Sequence, residues 1–151
     1  MKIIQLSEDR FDEFFNLVIK MVEEAQFKDA KPSKDKIKKL FKVPNAIAFG
    51  AVKDEKLIGF IAGMKHEYFF SEKQRIGDLG FYVLPEYRGC SAAIKLIRKL
   101  ESWAKDMNVD EIYIGQTTKV NIDKTKQFYE RLGYQTVGFN TVKNLKEQYV
   151  R

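Results

Sequence analysis

The sequence predicts an α/β protein built on a twisted mixed sheet with helices on both faces. Apolar residues recur at helical spacing in an early, a middle and a late segment. Three strand runs follow one another before the middle helix, and a further strand comes after it. The predicted order is β-α-α-β-β-β-α-β-α-β, with antiparallel strands in the middle and one right-handed parallel crossover around the middle helix.

The N-terminal third is predicted to hold one strand and two helices. Residues 3–6 form the strand, and Ser7 is placed to cap the next helix. Pro32-Ser33 opens a second helix, which Pro44-Asn45 ends. The apolar positions of the first helix are Phe11, Phe14, Phe15, Val18, Val22 and Ala25.

The middle of the chain is predicted to form a hairpin and a third strand. The hairpin joins Ala46–Val52 to Leu57–Met64 through a polar turn, and the third strand is Arg75–Val83. Apolar alternation in that strand changes phase. Because Gly77 and Gly80 lie nearby, we expect a β-bulge that restores the alternation.

The C-terminal half alternates helices with strands. The strongest helical periodicity covers Ala93–Met107, and a short strand follows at Glu111–Gly115. A helix over Lys124–Leu132 is expected to end at Gly133, a plausible C-cap. Tyr134–Val142 is predicted as the last strand.

Bulk composition narrows the class of protein. The chain has 151 residues, 44% hydrophobic and 32% charged, which fits one soluble domain over residues 1–151. One cysteine excludes an internal disulfide, and one cysteine with one histidine gives no structural zinc site, so no metal is expected. No signal-peptide core and no apolar run of roughly 18 residues is present. We therefore expect a cytoplasmic protein without a membrane span.

The segment that points to chemistry runs from an apolar strand into a turn of small residues and then a helix. Backbone N–H groups at the start of a helix have no partner within it, and the helix dipole adds positive charge there. Such a turn suits a pyrophosphate. Arg88 adds a cation, and the small residues after it let a phosphate approach the backbone. On spacing alone, an ordinary strand-to-helix turn with a helix cap is as good an interpretation as a pyrophosphate site.

The residues of this turn resemble the signature of the GNAT superfamily of acyl-CoA N-acyltransferases. That family has Arg/Gln-x-x-Gly-x-Gly/Ala in its pyrophosphate loop, and this chain has Arg88-Gly89-Cys90-Ser91-Ala92-Ala93. Ser91 replaces the middle glycine, which fits only where the backbone is right-handed helical. The resemblance implies a GNAT-like fold, acetyl-CoA as co-substrate held by the loop from Arg88 to Ala93, and backbone contacts from Phe81 and Val83 to the pantetheine arm.

A second stretch, Phe128-Tyr129-Glu130-Arg131-Leu132-Gly133-Tyr134, is similar to the last helix of the same family. The family tyrosine sits near the cofactor sulfur, so the resemblance assigns Tyr129 the protonation of the departing thiolate. It also makes the Val83 N–H a donor to the developing oxyanion. The asparagine that often precedes the tyrosine by seven residues is Ile122 here.

The general base stays open at this level. Asp78 lies on the key strand, while His66 and Glu67 follow the preceding one. For each, an ordinary structural or surface role is the favoured interpretation, and a water chain could serve as the base instead. Cys90 has no histidine near it in sequence and belongs to the phosphate loop, which disfavours an acyl-cysteine.

The leading hypothesis is direct acetyl transfer from acetyl-CoA to a primary amine of a small molecule or a protein. A non-catalytic acyl-CoA-binding domain of the same fold is the alternative, because of the departures at Ser91 and Ile122. A basic nucleic-acid-binding module is a third hypothesis, which rests on the net charge of +6 and has no reader motif behind it. The acceptor region is expected in Ser7–Pro44 and in loops near Tyr68–Gln74 and Asn140. The oligomeric state, including a homodimer, is open.

Overall fold

The computed structural model describes residues 1–25, 30–116 and 121–146. It contains two compact units, residues 1–115 and residues 116–151, and each is described here by itself. The predicted single domain over residues 1–151 stays a prediction. Among the described residues, no helix is both long enough and apolar enough to cross a membrane.

The first unit holds a five-stranded sheet in the order β1-β2-β3-β4-β5. All neighbouring strands are antiparallel except β4 and β5, which are parallel. This confirms the predicted antiparallel middle and the parallel neighbours around the crossover helix. The strands are β1 (Lys2–Gln5), β2 (Ala46–Lys53), β3 (Lys56–Tyr68), β4 (Ser71–Val83) and β5 (Glu111–Tyr113).

Helices pack on both faces of this sheet, as predicted. They are α1 (Phe11–Glu24), α2 (Lys34–Lys39) and α3 (Ala92–Asp106), with short 3-10 turns at Glu8–Arg10, Leu40–Lys42 and Pro85–Tyr87. Phe60 of β3 meets Phe14 of α1, with ring centroids 4.9 Å apart. Gly63 lies on the opposite face of β3, where Leu100 of α3 approaches it. The core therefore has two layers, one on each side of the sheet.

The third and fourth strands are longer than the sequence predicted. Residues 65–74 extend the hairpin, so the expected loop at Tyr68–Gln74 is wrong, and only the tip at Phe69 and Phe70 turns. Backbone pairing between β3 and β4 outweighs the polar composition of this stretch. The predicted bulge is confirmed: Ala62 pairs with Gly80 and Gly63 with Asp78, so Leu79 is the extra residue.

The two predictions about helix starts, a cap at Ser7 and a helix opening at Pro32-Ser33, had different outcomes. Ser33 caps α2, where its hydroxyl accepts a hydrogen bond from the Lys36 N–H at 3.3 Å. The prediction for Ser7 is wrong, because its hydroxyl donates to the Asp9 carboxylate and accepts no backbone N–H. A hydrogen bond to a charged carboxylate is stronger than one between neutral groups. The Ser7 hydroxyl is therefore oriented towards Asp9 and not towards the N–H groups of the turn.

The second unit contains α4 (Ile122–Arg131). Gly133 follows it with a φ of 94°, as its predicted role at the end of the helix requires. The predicted strand Tyr134–Val142 is wrong, since residues 134–146 form no strand. Val137, Phe139 and Val142 are each more than four-fifths exposed. Alternating apolar residues make a segment compatible with a strand, but a neighbouring strand must supply the hydrogen bonds.

Candidate active site

The site begins where β4 and β5 separate. Their pairing covers three residue pairs and ends at Gly77 and Tyr113, while β4 continues to Val83. The bulge at Leu79 lies just beyond the last pair. Bulges bend and twist a strand, so the course of β4 changes at this point. Beyond Gly77 no described strand pairs with β4 on its β5 side, and we call this open edge the gap.

The backbone of β4 offers hydrogen-bonding groups to this gap. Leu84 donates its N–H to Ile58 O at 2.9 Å, so these two residues form a hydrogen-bonded antiparallel pair. Such pairs alternate with non-hydrogen-bonded pairs. Register therefore makes Gly59–Val83 and Ile61–Phe81 non-hydrogen-bonded pairs. The N–H and C=O groups of Phe81 and Val83 consequently point away from β3, towards the gap.

The gap leads to the N-terminus of α3. Gly89 has a φ of 88°, a left-handed conformation that favours glycine, and it redirects the chain after the turn at Pro85–Tyr87. Ser91 is the N-cap residue with φ −76° and ψ 0°, the right-handed conformation that a serine needs at this position. The first turn of α3 carries no acidic residue. An anion at this end of the helix would meet unpaired N–H groups and no repelling carboxylate.

Arg88 is turned towards α1. Its two terminal nitrogens donate to the Glu24 carboxylate at 2.6 and 2.7 Å, and its Nε donates to Val83 O at 2.9 Å. The hydrogen bond from Arg88 holds the pKa of Glu24 below its usual value. Burial, helped by a hydrogen bond to Glu24, raises the pKa of Tyr82 to about 12. Arg88 therefore joins the end of α1, the end of β4 and the turn before α3.

Cys90, Ala92 and Ala93 complete the turn. The Cys90 thiol donates to Tyr87 O at 2.7 Å, which ties it to the turn's own backbone. Ala92 is fully buried, so the first residue of α3 anchors the helix against the core. Ala93 is half-buried beside it. These small side chains leave the backbone of the turn accessible.

Asp78 lies at the point where β4 leaves β5. It is half-buried, and its Oδ1 accepts a hydrogen bond from the Gly115 N–H at 3.2 Å. Burial raises the pKa of this carboxyl, and the hydrogen bonds that it accepts offset the rise only in part.

A group of aromatic and charged side chains lies on the β3–β5 surface next to this point. The Arg75 guanidinium lies between the rings of Tyr68 and Tyr113, 4.2 and 3.9 Å from their centroids, and it pairs with Glu111 at 3.0 Å. His66 Nε2 is hydrogen-bonded to the Tyr113 hydroxyl. Tyr68 in this group is half-buried, whereas Phe69 is fully exposed at the hairpin tip.

Tyr129 belongs to the second unit. It lies in the last turn of α4, is half-buried, and contacts the rings of Phe128 and Tyr134 at centroid distances of 5.5 and 5.9 Å. Its carbonyl accepts the Tyr134 N–H at 3.0 Å, which fixes the chain as it leaves the helix. Asn121, at the start of α4, has a left-handed backbone with φ 47°.

The sequence model of the acetyltransferase (GNAT) family matches residues 5–134. The chain belongs to this family. A relative from Archaeoglobus fulgidus that bears the name N-acetyltransferase is 24% identical over 135 residues, covering 85% of this chain and 89% of the relative. The family turn is Arg88–Ala93, and the gap beside β4 leads to it. The chain is thus an acetyl-CoA-dependent N-acetyltransferase.

Solved structures share the GNAT fold. An aminoglycoside acetyltransferase from an uncultured soil metagenomic sample, in complex with trehalose, has a TM-score of 0.75 at 22% identity, over 95% of this chain and 96% of that one. The ribosomal-protein-alanine N-acetyltransferase of Brucella melitensis biovar Abortus 2308 has a TM-score of 0.74 at 21% identity, over 96% and 100%. AAC(6')-Iy in complex with a CoA-containing bisubstrate analogue has a TM-score of 0.74 at 18% identity, over 98% of both chains.

Within this GNAT chain, sequence reasoning missed Glu24 and Tyr82 as members of the site. Glu24 lies 64 residues before its partner Arg88, at the end of a helix whose charged residues look alike in sequence. Tyr82 fits a strand pattern like any other aromatic residue. The one signal in the sequence was Arg88 itself, because a guanidinium that is partly removed from water favours a carboxylate partner.

Proposed function

We propose that this acetyltransferase moves the acetyl group directly onto a primary amine of a small molecule or a protein. The observation that carries the proposal is the gap beside β4, where the backbone groups of Phe81 and Val83 face away from β3 and the chain continues to the N-terminus of α3. Bound acetyl-CoA supplies a thioester, an already activated acetyl donor with a stable leaving group. Direct transfer needs no acyl group on Cys90, and the Cys90 thiol donates a hydrogen bond to Tyr87 O.

The donor groups present fit acetyl-CoA. A pyrophosphate would be held by the N–H groups of the turn from Gly89 to Ala93, and an amide-rich arm by Phe81 and Val83. The Val83 N–H would also donate to the developing oxyanion. Arg88 would position this turn through Val83 and Glu24 as well as supply charge. Tyr129 would hold the proton that the leaving sulfur receives.

The acceptor class is proposed from chemistry and from similar structures. Several of them are aminoglycoside acetyltransferases, and one, from an uncultured soil metagenomic sample, holds sisomicin. The aromatic surface around Tyr68 and Tyr113 supports an acceptor with an apolar part beside its amine.

We also propose that residues 1–151 form a single domain and that the protein is cytoplasmic. Light scattering would distinguish a monomer from a homodimer.

The test uses Ser91, the residue before α3, whose side chain is exposed and makes no capping hydrogen bond. Ser91→Asp places a carboxylate where the pyrophosphate would lie, whereas Ser91→Asn is the neutral counterpart of the same size. Because the Ser91 side chain is exposed and supports no cap, the fold should keep its stability in both variants. We expect Ser91→Asp to weaken acetyl-CoA binding at least tenfold in calorimetry and Ser91→Asn to change it little. Equal affinities in the two variants would contradict a pyrophosphate at this turn.

Turnover is measured in the same preparation. Thiol release from acetyl-CoA is followed with a diamine, sisomicin, a peptide with a free N-terminus and a lysine-containing peptide. Binding with release in the presence of one amine supports the transferase. Binding without release on any amine favours an acyl-CoA-binding domain, and salt-sensitive retention on DNA without acetyl-CoA binding favours the nucleic-acid alternative.

A further inference from the structure

Transfer to an amine requires a group that takes the proton lost by the acceptor nitrogen. Three side chains on β3 and β4 have suitable chemistry: His66, Glu67 and Asp78. Their surroundings in the structure differ, and those differences select one of them.

His66 and Glu67 are already engaged on the surface. Both ring nitrogens of His66 have partners, with Nδ1 at 3.2 Å from Glu67 O and Nε2 bonded to the Tyr113 hydroxyl. The Glu67 carboxylate is exposed and accepts a hydrogen bond from Gln74 Nε2 at 2.6 Å. The His66 ring therefore has no free nitrogen. Glu67 pairs with Gln74, four residues further along β3 than Gly63, the partner of Asp78.

Asp78 lies where β4 and β5 separate. It follows Gly77, the last residue of β4 that pairs with β5, and it precedes the bulge. Its Oδ1 accepts the Gly115 N–H, two residues beyond the end of β5, and the carboxylate keeps acceptor capacity for a further partner. Among the described residues no cation forms an ion pair with it. A half-buried carboxylate without a cation gains from accepting a proton.

We propose that Asp78 takes the proton from the acceptor amine, an inference that rests on the proposed function. The nitrogen forms its bond to the acetyl carbon and loses one proton to the Asp78 carboxylate. The carbon–sulfur bond breaks with its electron pair on sulfur, which takes up one proton. Asp78 then releases its proton to solvent, so that amine and thioester become amide and thiol.

Burial has the largest effect on the pKa of Asp78, and backbone N–H groups oppose it. Its cross-strand partner on β3 is Gly63, which has no side chain, and the Gly115 N–H is the neighbouring donor. No charged side chain of the described residues contributes to the raised pKa of Asp78. The folded state thus binds this proton more tightly than the unfolded state. The free energy of unfolding that Asp78 contributes therefore rises as the pH falls through its raised pKa.

Asp78→Asn tests the proposal, because it keeps an oxygen for the Gly115 N–H and removes the base. Asp110→Asn is a matched control: Asp110 also accepts a backbone N–H across β4 and β5, from Gln74 at 3.0 Å, but at the exposed start of β5. We expect Asp78→Asn to lower kcat/KM by about 10²–10⁴-fold. It should also remove the acid limb of the pH profile of kcat/KM. Asp110→Asn should keep both the value of kcat/KM and the acid limb.

Two readouts do not depend on turnover. Acetyl-CoA affinity should be equal in Asp78→Asn and the unmodified protein. Melting temperature at pH 8 should be equal or higher in Asp78→Asn, and the difference should shrink as the pH is lowered, because the buried charge is then neutralised in the unmodified protein. Full activity with an unchanged acid limb in Asp78→Asn would overturn the proposal.

Asp78→Ala with added formate separates chemistry from packing. Formate should restore part of the activity, since a small carboxylate can occupy the vacated volume. If Asp78→Asn melts well below the unmodified protein and formate restores nothing in Asp78→Ala, Asp78 is a structural residue and the proposal fails. Lack of turnover in the unmodified protein would instead contradict the proposed function, which distinguishes the two failures.

Discussion

The ion pair between Glu24 and Arg88 gives the sharpest prediction about the candidate site. It is bidentate, and its side chains are 29% and 41% exposed. Fully exposed pairs contribute ~0.2–1 kcal/mol, and breaking a buried pair costs ~3–5 kcal/mol. Solvent screening at this exposure places the pair nearer the lower range. We expect a coupling free energy of about 1–2 kcal/mol, with the unpaired single variants destabilised by similar amounts.

A double-mutant cycle measures this coupling. Glu24→Ala, Arg88→Ala and the double variant are unfolded in urea, and the cycle removes the separate effects of each truncation. Each single variant should melt about 2–8 °C lower, given roughly 2–4 °C per kcal/mol for a chain of this size. Arg98 and Glu101 on α3 form a pair with spacing i,i+3 and serve as the control, with an expected coupling of ~0.3–0.5 kcal/mol.

The same variants decide how Arg88 serves the cofactor. If Arg88 only holds the turn, Glu24→Ala and Arg88→Ala should weaken acetyl-CoA binding by similar factors. If Arg88 contacts the pyrophosphate, Arg88→Ala alone should cost about 1.5–3 kcal/mol of binding, and the loss should shrink with added salt. A coupling below ~0.3 kcal/mol would refute the stabilising role of the pair. No effect of either variant on binding would refute both roles of Arg88.

Three further predictions concern the remaining parts of the chain. Tyr129→Phe should lower turnover about 10²-fold while melting temperature and acetyl-CoA affinity stay nearly unchanged; unchanged turnover would make it a packing residue. Gly77→Ala would place a Cβ 2.4 Å from the Tyr113 ring, so it should destabilise the fold by ~1–3 kcal/mol in urea unfolding, and adding Tyr113→Ala should recover part of that loss. Because the Arg88 hydrogen bond lowers the pKa of Glu24, their contribution to stability is present above the ordinary glutamate pKa. It should disappear as the pH falls through the lowered value, and melting curves of Glu24→Ala should lack that dependence.

The sequence by itself determined the order of the elements from β1 to α4. Helical spacing over α1 and α3 and the alternation in β2 and β3 are local patterns, each set by residues a few positions apart. The phase change near Leu79 even located the bulge, since a single extra residue exchanges the faces of a strand. The residues Arg88–Ala93 indicated the family for the same reason, because a turn and a helix start lie within one short segment.

The tertiary structure decided which groups the site brings together. Arg88 and Glu24 meet only because α1 packs on the sheet beside β4, and the surroundings of Asp78 depend on where β5 ends. Such contacts join residues far apart in sequence through register and packing, which no local period encodes. The same reason explains the error at Tyr134–Val142: apolar alternation makes a segment able to form a strand, but only a neighbouring strand with free hydrogen-bonding groups makes it one.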